Sequence, residues 1–284
     1  MREFCDKVAV ITGAASGIGR GIAERCARER MRVVLSDIDE QSLFQTAREL
    51  QDQGAEVLAV VTDVAKLGEI VNLAQKTLSA FGGVHMLCNN AGVVAGKWIW
   101  ESTIADWEWV IGVNLWGVVH GLNVFVPIML KQDVDCHIVN TASMEGLTAF
   151  SGNGIYRATK HAVVSLSETL YLELEQIRAR IKVSLLCPGG VASRIGETRH
   201  TRPSPIPATP HTMAGPYDNE LGQHFWQRVL EETIQPDEVA ESVFSAIREE
   251  RFYILTHPQY AFGIQRRIDD ILQGHNPTNM LTLL

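Results

Sequence analysis

Three absences narrow the reading before any motif is considered. The 284-residue chain has no Lys/Arg run and no basic stripe; 25 basic and 33 acidic side chains leave a net charge of −8, spread along its length. That distribution argues against a nucleic-acid partner. The five cysteines, Cys5, Cys26, Cys88, Cys136 and Cys187, form no CxxC and no ligand-like cluster, so no metal site is expected. They read as buried structural thiols in a reducing compartment. The N-terminal MREFCDK runs into a strand without an apolar signal region, and polar residues or glycines interrupt each long apolar stretch. No membrane partner is expected, and the cytosol is the expected location. Internal repeats and low-complexity tracts are missing too.

What is present is an ordinary globular composition, 46% hydrophobic, with ample apolar residues for a core. Short β-branched runs alternate with helical patterns: Lys7–Thr12, Arg32–Ser36, Glu56–Val61, His85–Cys88, Cys136–Ala142, Ile181–Cys187 and Phe252–Thr256 as strands, with helices between. That alternation implies right-handed crossovers and a parallel sheet covered on both faces, an α/β Rossmann-type doubly wound fold of about seven strands. Ligands then gather at the carboxyl ends of the strands. The whole of 1–284 is expected to form one domain, with an insertion at about 190–222 and an extension at about 257–284. After Pro188 the insertion holds five prolines (Pro203, Pro205, Pro207, Pro210, Pro216), and its position after a strand end suggests a substrate lid. The tail after Gly274 reads as loose or as docking on a partner subunit.

Three features fall at strand ends. GAASGIG (Gly13–Gly19) joins the first strand to a helix, where glycines let the backbone approach a pyrophosphate and the helix N-terminus offers N–H donors. Asp37, 18 residues past Gly19, ends the second strand, where a carboxylate holds ribose hydroxyls and repels a 2′-phosphate. No Arg or Lys occupies Ser16 or Ile38, which favours NAD over NADP; the structural alternative for Asp37 is an N-cap of the following helix. Ser143 ends the fifth strand, and Tyr156 and Lys160 follow one helical turn apart. An ammonium beside a phenol favours the phenolate and would pull its titration toward neutral. Asn114 stands inside the apolar VIGVNLWGVV of a long helix over Thr103–Leu130, where its amide must find partners, and Pro127 is expected to kink or end that helix.

Together these segments resemble the short-chain dehydrogenase/reductase family in its compact single-domain branch, over nearly the whole chain. Thr12–Gly19 resembles the TGxxxGIG cofactor loop, Asp63-Val64 the acid that meets the adenine ring, and Asn89–Gly92 the NNAG segment. Pro188-Gly189 with Val191 and Ser193 resembles PGxVxT, with Ser in place of Thr. Asn114, Ser143, Tyr156 and Lys160 match the catalytic tetrad in type, order and spacing. The resemblance implies NAD-dependent hydride transfer between a secondary alcohol and its ketone. Tyr156 would be the general acid/base and Lys160 its partner, Ser143 would hold the substrate oxygen, and Asn114 would hold a water leading to solvent. Cofactor contacts are expected from Gly13, Ser16, Gly17, Ile18, Gly19, Asp37, Ile38, Asp63, Val64, Asn90, Ala91, Gly92, Tyr156, Lys160, Pro188, Gly189, Val191 and Ser193. Val94, Trp98 and Glu145 are candidate substrate residues, for a hydrophobic, cyclic or aromatic alcohol. Arg157, beside the tyrosine, either adds charge to the site or faces solvent. A homotetramer or homodimer is implied. A 3-ketoacyl reductase-type enzyme and a catalytically inactive NAD-binding regulator are the alternatives.

Overall fold

The computed structural model describes residues 1, 3–196 and 219–283. Seven parallel strands form one sheet in the order β3-β2-β1-β4-β5-β6-β7. They are β1 (Val8–Thr12), β2 (Arg32–Asp37), β3 (Val57–Val61), β4 (Met86–Asn89), β5 (Cys136–Thr141), β6 (Ile181–Cys187) and β7 (Tyr253–Leu255). The strand order reverses beside β1, between β2 and β4, which opens a crevice at the carboxyl ends there. This is the doubly wound Rossmann-type fold the alternation implied.

Side chains leave successive strand residues on opposite faces, so β1 feeds two cores at once. Val8 and Val10 join one core with α3 (Leu67–Phe81), α5 (Gly117–Gln132) and α6 (Gly154–Gln176). Ala9 and Ile11 join the other with α1 (Gly17–Arg28), α2 (Glu40–Asp52) and α8 (Pro236–Glu249). Gly21 lets α1 approach α8 closely, since a Cβ there would lie 2.6 Å from the Pro236 carbonyl oxygen.

The long apolar helix is not uniform. α4 (Ile104–Ile111) opens with a Thr103–Asp106 capping box, the chain then makes a π-helical turn at Gly112–Trp116, and α5 follows. The helix runs through Pro127 to Gln132 rather than ending before it. Phe125 and Met129, both buried on either side, hold it against the sheet and outweigh one lost backbone bond. This 29-residue helical stretch is long and apolar enough to cross a membrane by length and composition, contrary to the reading that each such run is interrupted. Val110, Val118 and Phe125 are buried on its inner face, while Trp116 and Leu130 are exposed.

After β6, α7 (Glu220–Glu231) and α8 lead to β7 and α9 (Ala261–Gln273). The tail folds onto its own chain. The Met280 N–H donates to the Ala149 carbonyl (2.8 Å), and Asn279 bonds Ser151 through both its amide groups (3.3 and 3.1 Å). Of the cysteines, four are buried, whereas Cys5 is exposed; all five are free thiols.

Candidate active site

The crevice beside β1 is a cleft of about 470 Å³. Its floor is backbone. Gly13 and Gly17 have φ of +66° and +53°, a region costly for residues with a Cβ. A Cβ on Gly13 would lie 2.9 Å from the Ala91 Cα, and one on Gly17 2.9 Å from the Ser193 Cβ. Ser16, the N-cap of α1, makes no side-chain cap bond, and no acid stands in the first turn. The N-terminal donors of α1 are therefore not satisfied by the helix's own side chains, which fits an anion such as a pyrophosphate. Gly19 lines no part of the cleft; a Cβ there would come within 2.1 Å of the Gly13 carbonyl, so its role is to let the loop close on α1.

Thr12 fastens this floor to the next strand end. Its hydroxyl accepts from the N–H groups of Asn90 (2.9 Å) and Ala91 (3.1 Å), while the Asn90 amide donates to the Thr12 carbonyl (3.1 Å). Thr141 at the end of β5 donates to the other side of the Asn90 amide (3.4 Å). Asn89 and Asn140 continue the linkage into α6 through Ser167, and Gly121 gives Asn89 room to do so.

Asp37 sits at the far end of the cleft, accepting from the N–H groups of Ala15 (3.0 Å) and Asp39 (3.0 Å). The N-cap of α2 is Asp39, so the capping alternative for Asp37 falls away. Burial raises the Asp37 pKa and the surrounding backbone donors oppose it. Asp63 also lines the cleft, and its carboxylate accepts from the Ala65 N–H (3.1 Å) and pairs with Lys66 (3.2 Å). Ser16, Ile18, Ile38, Val64, Ala91, Gly92, Pro188 and Ser193 line it as expected. Gly189 and Val191 do not. Gly189 lies against the buried His257 ring, where a Cβ would clash, and Val191 forms a β-bridge to Ile234.

The tyrosine end of the cleft is side-chain chemistry. Tyr156 and Lys160 line it from the first turns of α6. Beside Tyr156, the Ser143 hydroxyl accepts from the Glu145 N–H (3.1 Å) and donates to the Pro188 carbonyl (3.5 Å). The Lys160 ammonium donates to the Thr141 carbonyl (2.8 Å) and lies 5.4 Å from the Tyr156 ring centre. Burial lowers the Lys160 pKa to about 8. Burial also pushes the Tyr156 phenol up rather than toward neutral, with the Glu145 carboxylate adding and the Ser143 hydrogen bond opposing. That direction is opposite to the one expected from the Tyr156–Lys160 spacing, because desolvation by burial is the largest influence on the phenol.

Asn114 sits in the π-helical turn with its side chain committed. Its oxygen accepts from the Val93 N–H (2.8 Å), and its nitrogen donates to the Val93 carbonyl (2.9 Å) and to Thr159 (3.2 Å). Thr159 passes the link to the Tyr156 carbonyl (2.7 Å). Asn114 therefore ties Val93, just past the NNAG segment, to α6. Thr12 and Thr159 were missed by the sequence reading, although both lie inside or beside its motifs.

Val94 and Trp98 do not line the cleft; Trp98 stacks on Trp100 at 5.1 Å. Glu145 does not line it either, but pairs with Arg157 (3.0 Å). Arg157 is buried, so it neither faces solvent nor stands as an uncompensated charge. Arg194, in the first part of the expected lid, lines the cleft and pairs with Asp39 (3.1 Å); no sequence motif marked it. The rest of that lid, residues 197–218, lies outside the described residues.

The fold and the Ser143–Tyr156–Lys160 grouping define an α/β oxidoreductase. A short chain dehydrogenase family model matches residues 7–203. The chain belongs to the short-chain dehydrogenase family. It is similar, at 46% identity and a TM-score of 0.92, to a short chain dehydrogenase/reductase from Burkholderia phymatum solved in complex with NAD, covering 98% of this chain and 99% of that one. It is 36% identical to a CLA biosynthesis dehydrogenase/reductase of Lactiplantibacillus plantarum over 98% of this chain and 97% of that protein. It is 34% identical to a 1-deoxy-11-beta-hydroxypentalenate dehydrogenase of Streptomyces avermitilis, over 93% of this chain and 89% of that protein.

Proposed function

We propose that this protein is an NAD-dependent oxidoreductase that interconverts a secondary alcohol and a ketone, with Tyr156 as general acid/base. One observation carries the reading: Tyr156, Lys160, the glycine loop and Asp37 line a single cleft. The NAD complex of the Burkholderia phymatum relative supports the choice of cofactor, and so does Asp37. When bound, NAD⁺ supplies the hydride acceptor and a cationic ring. The uncapped turn of α1 and the glycine loop bind its pyrophosphate, Asp37 its adenosine ribose, and Asp63-Val64 its adenine.

In oxidation, Tyr156 takes the proton of the substrate hydroxyl, and in reduction it returns it. Ser143 hydrogen-bonds the substrate oxygen and steadies the charge that develops there. Lys160 holds its ammonium against the Thr141 carbonyl, a cation beside the tyrosine that favours the phenolate. Asn114 braces Val93 and Thr159 around this group and is the expected holder of the water that leads the proton out. Positioned acid–base chemistry of this kind contributes about 10²–10⁴-fold.

The substrate is a hydrophobic, cyclic or aromatic secondary alcohol. A relative named for a hydroxylated pentalenate supports an alcohol substrate. A homotetramer or homodimer built on the 104–132 and 154–176 helices is supported by the exposed Trp116 (51%) and Leu172 (65%), and light scattering tests it. The function is tested by following absorbance at 340 nm with a panel of such alcohols and ketones, using NAD(H) beside NADP(H). Turnover with NAD(H) is expected; a higher kcat/KM with NADPH than with NADH would overturn the cofactor assignment.

A further inference from the structure

The Glu145–Arg157 ion pair is placed unusually for a structural contact. Glu145 stands two residues past Ser143 and donates its N–H to the Ser143 hydroxyl (3.1 Å). Arg157 follows Tyr156 directly. The two side chains meet at 3.0 Å with exposures of 23% and 9%. The guanidinium is held further by the Gly152 carbonyl (2.7 Å) and by the Phe150 ring, whose centre lies 4.4 Å away. Phe150 packs edge-on against Phe225 of α7, and the C-terminal tail bonds the residues on either side of it, Ala149 and Ser151. A charge pair this deep is weak evidence of stability for its own sake, because desolvation offsets most of its attraction. Its location instead joins the turn that carries Ser143 to the helix that carries Tyr156.

We infer that Glu145 and Arg157 are a positioning pair: their ion pair clamps the Ser143 turn to the Tyr156 helix, and the Glu145 carboxylate sets the charge around the tyrosine. This rests on the reading of Tyr156 as the acid/base. Among the described residues, the charged and titratable groups around Tyr156 are few. α6 itself contributes Lys160, over the ring, and Arg157; the turn after β5 contributes Glu145 and the Ser143 hydroxyl; the end of β6 contributes Cys187. Of these, Glu145 is the largest charged influence and acts to keep the phenol protonated, while Arg157 opposes it. Glu145 also supports the charged form of Lys160. The pair thus favours Tyr156 as a proton donor, the form that ketone reduction requires, and holds back the phenolate that alcohol oxidation requires.

The test reads the tyrosine directly. Tyrosine labelled with ¹³C at Cζ is followed by NMR through a pH titration of the NAD⁺ complex, the Tyr156 resonance being assigned by its loss in Tyr156→Phe. In Glu145→Gln the phenolate fraction is expected to exceed wild type along the titration, with a midpoint lower by about one pH unit. Glu145→Asp, which keeps the charge, is expected to titrate as wild type while kcat falls through poorer alignment. Equal phenolate fractions in wild type and Glu145→Gln would overturn the inference. If Glu145→Gln does not fold, the double variant Glu145→Gln/Arg157→Met replaces the pair with neutral side chains. It is expected to move the midpoint the same way but less far, and an unmoved midpoint there overturns the inference equally. The titration needs no turnover, so it separates from the underlying reading: a Tyr156→Phe enzyme that still turns over removes Tyr156 as acid/base, whatever the titration shows.

Discussion

The glycine-loop end of the cleft is assembled largely from backbone, whereas the Tyr156 end is assembled from side chains. At the first end, positive-φ glycines, the uncapped turn of α1 and the Thr12–Asn90–Ala91 bonds fix the geometry, with few substitutable parts. At the second, Glu145 reaches Arg157, Asn114 reaches Thr159, and Asn279 reaches Ser151. Strand ends and helix termini position the first end whatever the substrate is. The second end depends on particular side chains, so substrates can change there while the cofactor end stays as it is.

This contrast can be broken from either side. The largest effect is expected at Lys160→Met, which removes the cation beside Tyr156: kcat falls by about 10²-fold or more, measured at 340 nm, while NADH binding followed by fluorescence weakens less. Gly19→Ala attacks the backbone end. Its Cβ would meet the Gly13 carbonyl at 2.1 Å, so a loss of about 1–3 kcal/mol is expected from overpacking, seen as a lower Tm together with weaker NADH binding. Asp37→Ser should lower the preference for NADH over NADPH by about tenfold or more in kcat/KM, since like charges set against each other cost several kcal/mol. Asn279→Ala, remote from the cleft, should lower stability by about 1 kcal/mol and reduce kcat slightly with the NADH Kd unchanged, because it loosens the 149–151 segment that supports Phe150. An effect of Asn279→Ala on NADH binding equal to that on kcat would erase the distinction between the two ends. Across pH, oxidation should accelerate as pH rises and reduction as it falls, because burial holds Tyr156 in its protonated form.

The backbone end was legible in the sequence because its parts are local. TGAASGIG, Asp37 and NNAG each sit at a strand end that a β-branched run announces, and parallel alternation brings those ends together. Ser143, Tyr156 and Lys160 were legible for the same reason, lying at one strand end and on the next helix. Asn114 was conspicuous as a polar residue in an apolar helix, but the π-helical turn that carries it leaves no mark in the spacing of the apolar residues. The pairing of Glu145 with Arg157 was not legible, because the two meet only once the Ser143 turn and α6 are folded together. Gly189 and Val191 matched the family pattern, yet their neighbours His257 and Ile234 come from the far end of the chain. Arg194 owes its place to a pairing with Asp39, 155 residues away in sequence.

The central claim is that the cleft transfers hydride with Tyr156 moving the proton. Tyr156→Phe tests it most directly, assayed for NAD⁺ reduction with a secondary alcohol that the wild type oxidises and, on the same sample, for NADH binding by fluorescence. Unchanged NADH binding and turnover reduced by about 10²–10⁴-fold are expected. Turnover at the wild-type rate with NADH still bound would contradict it.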